Sequence, residues 1–215
     1  MLQIHGCVMR EKSALNSRST NHAARITHQA APLLKDFLPR SPGVILRHME
    51  LYLLRHGLAV ERGTTGFKDD ALRPLTPKGR RQLRTIAAAI KGMDLRCDLI
   101  LSSPLQRAKQ TAEIIAREIK LKKRLKFSNA LAPGGSAAVL FRQLVRMKPM
   151  PARLLFVGHE PDLSRLISLL VTGGLRLQLD FKKGGLCKLD IGKLKAGKCA
   201  TLAWLLTPKQ LKQMV

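Results

Sequence analysis

Leu51-Tyr52-Leu53-Leu54-Arg55-His56-Gly57 is an apolar run that stops at arginine, histidine and glycine, and Leu154-Leu155-Phe156-Val157-Gly158-His159-Glu160 repeats the arrangement later in the chain. Short apolar runs that end at a glycine read as strands buried on both faces of a parallel sheet. Ligands of open α/β sheets bind at the carboxyl ends of such strands. From Met49 to the C-terminus the chain holds no other histidine. A lone histidine at a strand end is more often structural than catalytic. Two such placements, with Arg55 beside the first, point to one shared site and to phosphate chemistry.

Outward from these two runs, strand and helix signals alternate. A long loop, 58–75, follows the first strand, and Thr76-Pro77 then opens a helix to about Lys91, with threonine as N-cap and proline at the first helical position. Asp98 to Ser102 reads as a second strand, and Ser103-Pro104 as a second helix start, for a helix running to about Ile119. A short strand near 125–128, a Pro-Gly-Gly loop at 133–135 and a helix over 136–147 precede the strand 153–157. Pro161 begins a helix that ends before Gly173-Gly174, and final strands fall near 186–191 and 201–206. The alternation predicts an α/β domain over 49–215 with a mostly parallel central sheet flanked by helices.

Residues 1–48 differ in kind. They hold four of the six histidines, many Ser, Asn and Arg residues, two acids and no sustained period. Such a stretch suits an organelle transit peptide, which is Arg- and Ser-rich and poor in acids. The preferred reading is upstream sequence translated from a start codon assigned too early, because Met49 would begin the domain at its first strand.

Net charge is +25, from 39 Lys and Arg against 14 Asp and Glu. A field of that size attracts anions, nucleic acid among them. Against nucleic acid stand one Trp, one Tyr and six Phe, mostly within apolar runs, which leave little for a base-stacking platform. The alternative is a solvated basic surface, to which the lysine-rich turns 120–126 and 182–198 also belong. Four scattered cysteines without a C-x-x-C pair indicate neither a zinc knuckle nor a redox pair and suit a reducing cytoplasm. Membrane spanning is not expected, since no apolar stretch approaches the roughly 18 residues required.

The usual phosphate-handling motifs are missing. No cysteine is followed by arginine six positions later, no Asp-x-Asp pair ends a strand, and the Gly-Lys pairs 192–193 and 197–198 lack a following Ser or Thr. If phosphate is handled here, histidine must handle it. Arg107 falls in the opening turn of its helix, where the dipole disfavours a cation by about 0.3–1 kcal/mol, so an anion at that helix end would account for it. His159-Glu160-Pro161 also sits at a strand-to-helix junction, where backbone amides face an anion. An exposed arginine pointing away remains the plainer alternative for Arg107.

Leu54-Arg55-His56-Gly57, Arg73-Pro74-Leu75-Thr76-Pro77-Lys78-Gly79, Ser102-Ser103-Pro104-Leu105-Gln106-Arg107-Ala108-Lys109-Gln110-Thr111-Ala112 and Val157-Gly158-His159-Glu160-Pro161 together resemble the histidine phosphatase superfamily. Within it they look most like the short SixA-type branch of phosphohistidine phosphatases. The resemblance runs from Met49 to the C-terminus and implies a three-layer sandwich of the phosphoglycerate mutase-like type. It implies that His56 is the nucleophile and becomes phosphorylated, that Arg55, Arg107 and His159 hold the phosphoryl oxygens, and that neither metal nor cofactor takes part. A neutral imidazole is a competent nucleophile near neutral pH, and a neighbouring arginine disfavours its protonation.

Many members of the superfamily place a carboxylate after the third strand to protonate the leaving oxygen, yet no Asp or Glu occurs between Glu118 and Glu160. A positioned general acid is worth about 10²–10⁴-fold, so alkyl phosphate esters should suffer while phosphohistidine should not. The expected partner is thus a phosphohistidine-containing protein, such as a phosphotransfer domain or phosphocarrier. A small-molecule phosphatase or mutase is the alternative if Glu61, Asp69 or Asp70 from the long loop serves as proton donor. A module that binds phosphoproteins without turnover is the alternative of another class.

Overall fold

The computed structural model describes residues 48–195 and 197–215. The expectation for residues 1–48 lies, His48 apart, outside the described residues. Six strands form one sheet: β1 (Met49–Arg55), β2 (Leu99–Ser102), β3 (Leu125–Phe127), β4 (Arg153–Gly158), β5 (Leu186–Ile191) and β6 (Ala200–Leu206). Their spatial order is β3-β2-β4-β1-β5-β6. Pairing is parallel from β3 through β1, and β5 lies antiparallel to both β1 and β6, so β5 alone opposes the common direction.

Side-chain alternation along these strands divides the core into two layers. Leu51 and Leu53, Leu99 and Leu101, and Leu154 and Phe156 face helices α3 (Ala137–Val145) and α4 (Asp162–Thr172). Tyr52, Leu54, Ile100, Leu155 and Val157 face α1 (Pro77–Gly92), α2 (Gln106–Glu118) and α5 (Pro208–Lys212). Helices on both faces explain why the central strands read as continuous apolar runs, and each fully buried leucine contributes about 1.5–3 kcal/mol. The architecture is the expected three-layer α/β sandwich. Among the described residues, no helix is long and apolar enough to cross a membrane.

Local signals account for most helix ends. Thr76 Oγ1 accepts the Gly79 amide at 3.0 Å with Pro77 in the first turn of α1, and Leu83, Ile86, Ala87 and Ile90 place its buried stripe at helical spacing. Gly173, at φ 83°, closes α4 in the left-handed conformation that glycine adopts without strain.

Two expectations are corrected. α2 begins at Gln106 rather than at Pro104, and its N-cap residue, Leu105, makes no side-chain cap bond. Ser103 lies two residues before the N-cap, where its hydroxyl accepts the Leu105 amide at 3.3 Å and meets His159 Nε2 at 2.8 Å. α5 was not expected, although Thr207-Pro208 repeats the Thr-Pro start of α1 and Thr207 with Gln210 completes a capping box. The long loop 58–75 also has more order than expected: Ala59 bridges Leu75, the Val60 amide donates to the Pro74 carbonyl at 2.9 Å, and a 3-10 turn spans Asp70–Leu72.

Gly79 brings α1 against the loop that leaves the β1 end. A Cβ there would lie 2.1 Å from the Leu58 carbonyl oxygen. Gly79→Ala should therefore lower stability by about 1–3 kcal/mol, read as a reduced urea midpoint at unchanged slope. Relief of helix-interior glycine alone would instead raise it by up to about 1 kcal/mol, so a raised midpoint would contradict the close approach.

Candidate active site

The register of β1 with β4 sets Arg55 beside Gly158, and the His56 amide donates to the Gly158 carbonyl at 3.1 Å. Each strand is thus followed by its histidine at the same edge of the sheet. The two imidazole centroids lie 5.1 Å apart with planes inclined by 52°. β2 flanks β4 on its other side, so Ser103, one residue past β2, donates its amide to Val157 and meets His159 through its hydroxyl.

His56 is buried, and its Nδ1 lies 2.8 Å from the Gly57 carbonyl oxygen. A carbonyl only accepts, so Nδ1 must carry the proton and Nε2 keeps its lone pair. Burial pushes the His56 pKa down to about 3; the charges of His159, Arg107 and Arg55 act in the same direction, against the Gly57 hydrogen bond. The ring is therefore a free base at neutral pH. His159 is held at about 4, by burial first and then by Arg107. Ser103 Oγ accepts the Leu105 amide at 3.3 Å and lies 2.8 Å from His159 Nε2. His159 Nδ1 is buried without a partner among the described residues.

Arg107 is 3 % exposed at the start of α2. Its two terminal nitrogens donate to Asp70, one to the backbone carbonyl at 2.7 Å and one to Oδ2 at 2.9 Å. Arg55 donates to the Phe181 carbonyl at 2.6 Å. The Nε atoms of both arginines are buried and unpaired. Burial lowers both guanidinium pKa values, a direction that favours an anionic partner. The four expected residues are thus brought together at the carboxyl edge of β1, β4 and β2. Among the described residues, no group of three or more His, Cys, Asp or Glu side chains is placed to hold a metal ion.

Four further residues organise the site. Arg107, Gln110 and Thr111 share one face of α2 at spacings of three and four. Gln110 Oε1 accepts the Leu75 amide at 2.8 Å, and Thr111 Oγ1 accepts the Gly57 amide at 3.1 Å while donating to the Arg107 carbonyl at 2.7 Å. Ser103 orients His159, and Asp70 orients Arg107. The spacing of Gln110 and Thr111 behind Arg107 was a readable signal for the first two. No local pattern announced Asp70, which arrives from the long loop.

The loop carboxylates do not supply an obvious acid. Burial alone would raise the Asp70 carboxyl, but hydrogen bonds from Arg73 and Arg62 and the charge of Arg107 outweigh it and hold it at about 2. It is ionised at neutral pH and has no proton to give. Asp69 Oδ1 accepts the Ala71 amide at 2.8 Å, and Glu61 is exposed. Beside His159, between α3 and α4, opens a cavity of about 240 Å³ walled by Leu131, Leu140, Leu163 and Leu166.

The family model for the histidine phosphatase superfamily (branch 1) matches residues 51–130. An uncharacterized protein of Picosynechococcus sp. is 37% identical over 166 residues, covering 76% of this chain and 99% of the relative. The phosphohistidine phosphatase SixA of Escherichia coli is 28% identical over 126 residues, covering 58% of this chain and 76% of that protein. A structure of the protein histidine phosphatase SixA complexed with tungstate superposes with a TM-score of 0.64 at 25% identity, covering 76% of this chain and 100% of that one.

Both imidazoles are neutral when folded and have an ordinary pKa of about 6.5 when unfolded. Below that value the unfolded chain binds more protons, so stability is full above it and declines as pH falls toward 4. The loss between pH 7 and pH 5 should be on the order of 1–2 kcal/mol for each histidine. Urea melts across this range should show it, with a shallower dependence in His56→Gln. Stability rising toward pH 5 would contradict the buried, uncharged state of the pair.

Proposed function

The chain belongs to the histidine phosphatase superfamily, and from that membership we propose that it removes phosphate from phosphohistidine in a partner protein through a phosphorylated His56. One observation carries the reading: His56 Nδ1 is tied to the Gly57 carbonyl, which leaves Nε2 as an unprotonated nucleophile beside Arg55, Arg107 and His159.

In the first step the Nε2 lone pair attacks phosphorus and the P–N bond of the substrate breaks. A phosphohistidine protonated on its second ring nitrogen departs as neutral imidazole. The phosphorylated His56, with its proton on Nδ1, has the same charge as the substrate it replaced. No proton moves, so no general acid is required. In the second step water attacks phosphorus, the P–Nε2 bond breaks, and dihydrogen phosphate leaves with both protons of the water. His56 returns to its starting tautomer. Dividing the transfer in this way replaces one high barrier by two lower ones. The unpaired Nε–H groups of Arg55 and Arg107 are donors for the equatorial oxygens, where phosphoryl transfer gains most of its stabilisation, and His159 Nδ1 joins them in the tautomer in which Ser103 donates to Nε2.

Two observations favour a phosphoprotein over a sugar phosphate. Asp70, the loop carboxylate joined to Arg107, is held ionised and acts as a positioning residue. The cavity beside His159 is lined largely by leucine and alanine side chains, with Asp162 and Arg165 also on its wall, a surface that suits an apolar side chain better than a polyol.

Brief incubation with a phosphohistidine protein should leave acid-labile phosphate on His56, and His56→Ala should abolish turnover. Full activity in that variant would end the proposal. Arg107→Ala should reduce kcat by about 10²–10³. Phosphohistidine peptide should exceed glucose 6-phosphate in kcat/KM by about 10²–10⁴, the worth of the missing acid, and equal rates would favour the small-molecule alternative. Asp70→Asn should leave the pH profile on p-nitrophenyl phosphate unchanged in shape and lower kcat by less than about tenfold; loss of its basic limb would make Asp70 the acid after all.

A further inference from the structure

The rim of the site is unevenly charged. Several of its cations are matched: Arg62 and Arg73 pair with Asp70, Arg165 with Asp162, and Lys182 with Asp180. The flank formed by the start of α2 and by β3 is different. No acid occurs between Glu118 and Glu160, and the exposed Lys109 and Lys126 of this flank have no acidic partner among the described residues. Lys122, Lys123 and Arg124 are exposed as well and precede β3, toward the amino edge of the sheet. Within this flank Phe127 is 45 % exposed, with Lys109 Nζ 5.9 Å from the centre of its ring.

Position ties this flank to the site. Phe127 is registered opposite Ser102, the last residue of β2, and so stands at the same carboxyl edge as His56 and His159. β3 lies two strands from β4 and three from β1, about 10–15 Å at about 4.8 Å per strand. A protein interface of ordinary size covers about 800 Å² on each partner, a patch of about 16 Å radius. Any folded partner with its phosphorylated residue seated against His56 is therefore within reach of the β3 edge.

We infer that the β3 edge and the start of α2 form the docking surface for an acidic face of the phosphorylated partner, with Phe127 as its apolar contact. The inference rests on the phosphoprotein reading of the site and adds the partner's charge and the side from which it approaches. Lysines on an edge strand also deter sheet-to-sheet aggregation. That role alone needs no exposed aromatic at the active-site rim. Nucleic acid fits the charge but not the surface, since base stacking uses successive aromatic platforms, whereas Phe127 is the one aromatic among the exposed large hydrophobic residues described.

The test compares two phosphohistidine peptides, one carrying Asp and Glu three to six residues from the phosphohistidine and one neutral there, a reach of about 10–20 Å when extended. Wild type should prefer the acidic peptide by about tenfold or more in kcat/KM at low salt, and the preference should fall steeply as salt rises. The double variant Lys109→Glu, Lys126→Glu should lose that preference while its turnover of p-nitrophenyl phosphate stays within about twofold of wild type. An unchanged preference would overturn the inference. Stronger inhibition by a single-stranded oligonucleotide than by the unphosphorylated acidic peptide, lost in the same variant, would assign the surface to nucleic acid instead. If neither peptide is hydrolysed but p-nitrophenyl phosphate is, the phosphohistidine reading fails and docking is read separately. Inhibition of p-nitrophenyl phosphate turnover by the acidic peptide, lost in the variant, would then support the surface, and equal inhibition of both proteins would refute it.

Discussion

The register of β1 against β4 decides where both imidazoles go. Arg55 beside Gly158 makes the next residue on each strand a histidine, and the His56 amide closes the ladder on the Gly158 carbonyl. A slip of one residue exchanges the faces of every side chain. In a sheet covered on both sides that exchange does not by itself expose apolar surface. The polar ends of the runs supply the penalty instead. Moving β1 inward would drag Arg55 into the layer packed by Leu54 and Val157, and moving it outward would draw Glu50 from its ion pair with Lys188. An unpaired buried charge costs several kcal/mol, more than any rearrangement of leucines would return. The residues that bound the apolar runs therefore place the chemistry that follows them.

Electrostatics at that edge are arranged for an anion that is not part of the protein. Two arginines and two histidines converge, and the histidines meet the crowding by staying neutral. Asp70 satisfies the terminal nitrogens of Arg107, and Phe181 satisfies one of Arg55. What remains unpaired is one buried nitrogen on each of Arg55, Arg107 and His159. Orphaned buried polar nitrogens are costly and rare in native structures, so three near one nucleophile, two of them arginine donors, mark a place completed by a ligand with several acceptors. A phosphoryl group has three. Donors already oriented before the charge develops lose nothing to reorganisation during the reaction.

Most of the fold was legible because its elements are strongly patterned. The central strands are apolar on both faces, α1 and α3 begin at Thr-Pro and Ser signals, and Gly173 closes α4 where the glycine pair stands. The misreadings share a physical cause. At Ser103 the hydroxyl accepts the local Leu105 amide ahead of the helix and also meets His159, a partner that only the proximity of β4 to β2, a nonlocal fact, supplies. At 207–208 the start signal was present, but α5 is a single short helix whose Leu211 is buried by packing against the layer of α1 and α2. The four site residues were legible because strand ends and helix starts are local features. Asp70 was visible only as a candidate acid. Its three arginine partners, two of which come from its own loop, convert it to a fixed anion, and that conversion needs coordinates.

The loop that carries Asp70 also links stability to chemistry. It leaves the β1 end at Gly57, whose amide is taken by Thr111, turns at the 3-10 segment, and returns to Leu75, whose amide is taken by Gln110. One face of α2 therefore holds both ends of the loop, and Arg107 on that face receives the loop's own carboxylate. The nucleophile shares this frame, since Gly57 accepts the Nδ1 proton of His56 through its carbonyl while its amide is anchored to Thr111. A displacement of the start of α2 would alter the tautomer-setting hydrogen bond and the phosphate-facing arginine together. Precision here does not require a rigid loop in isolation, because the helix face holds the loop at each point where it meets the site. A partner pressing on the start of α2 would act on the same elements that hold the nucleophile in place.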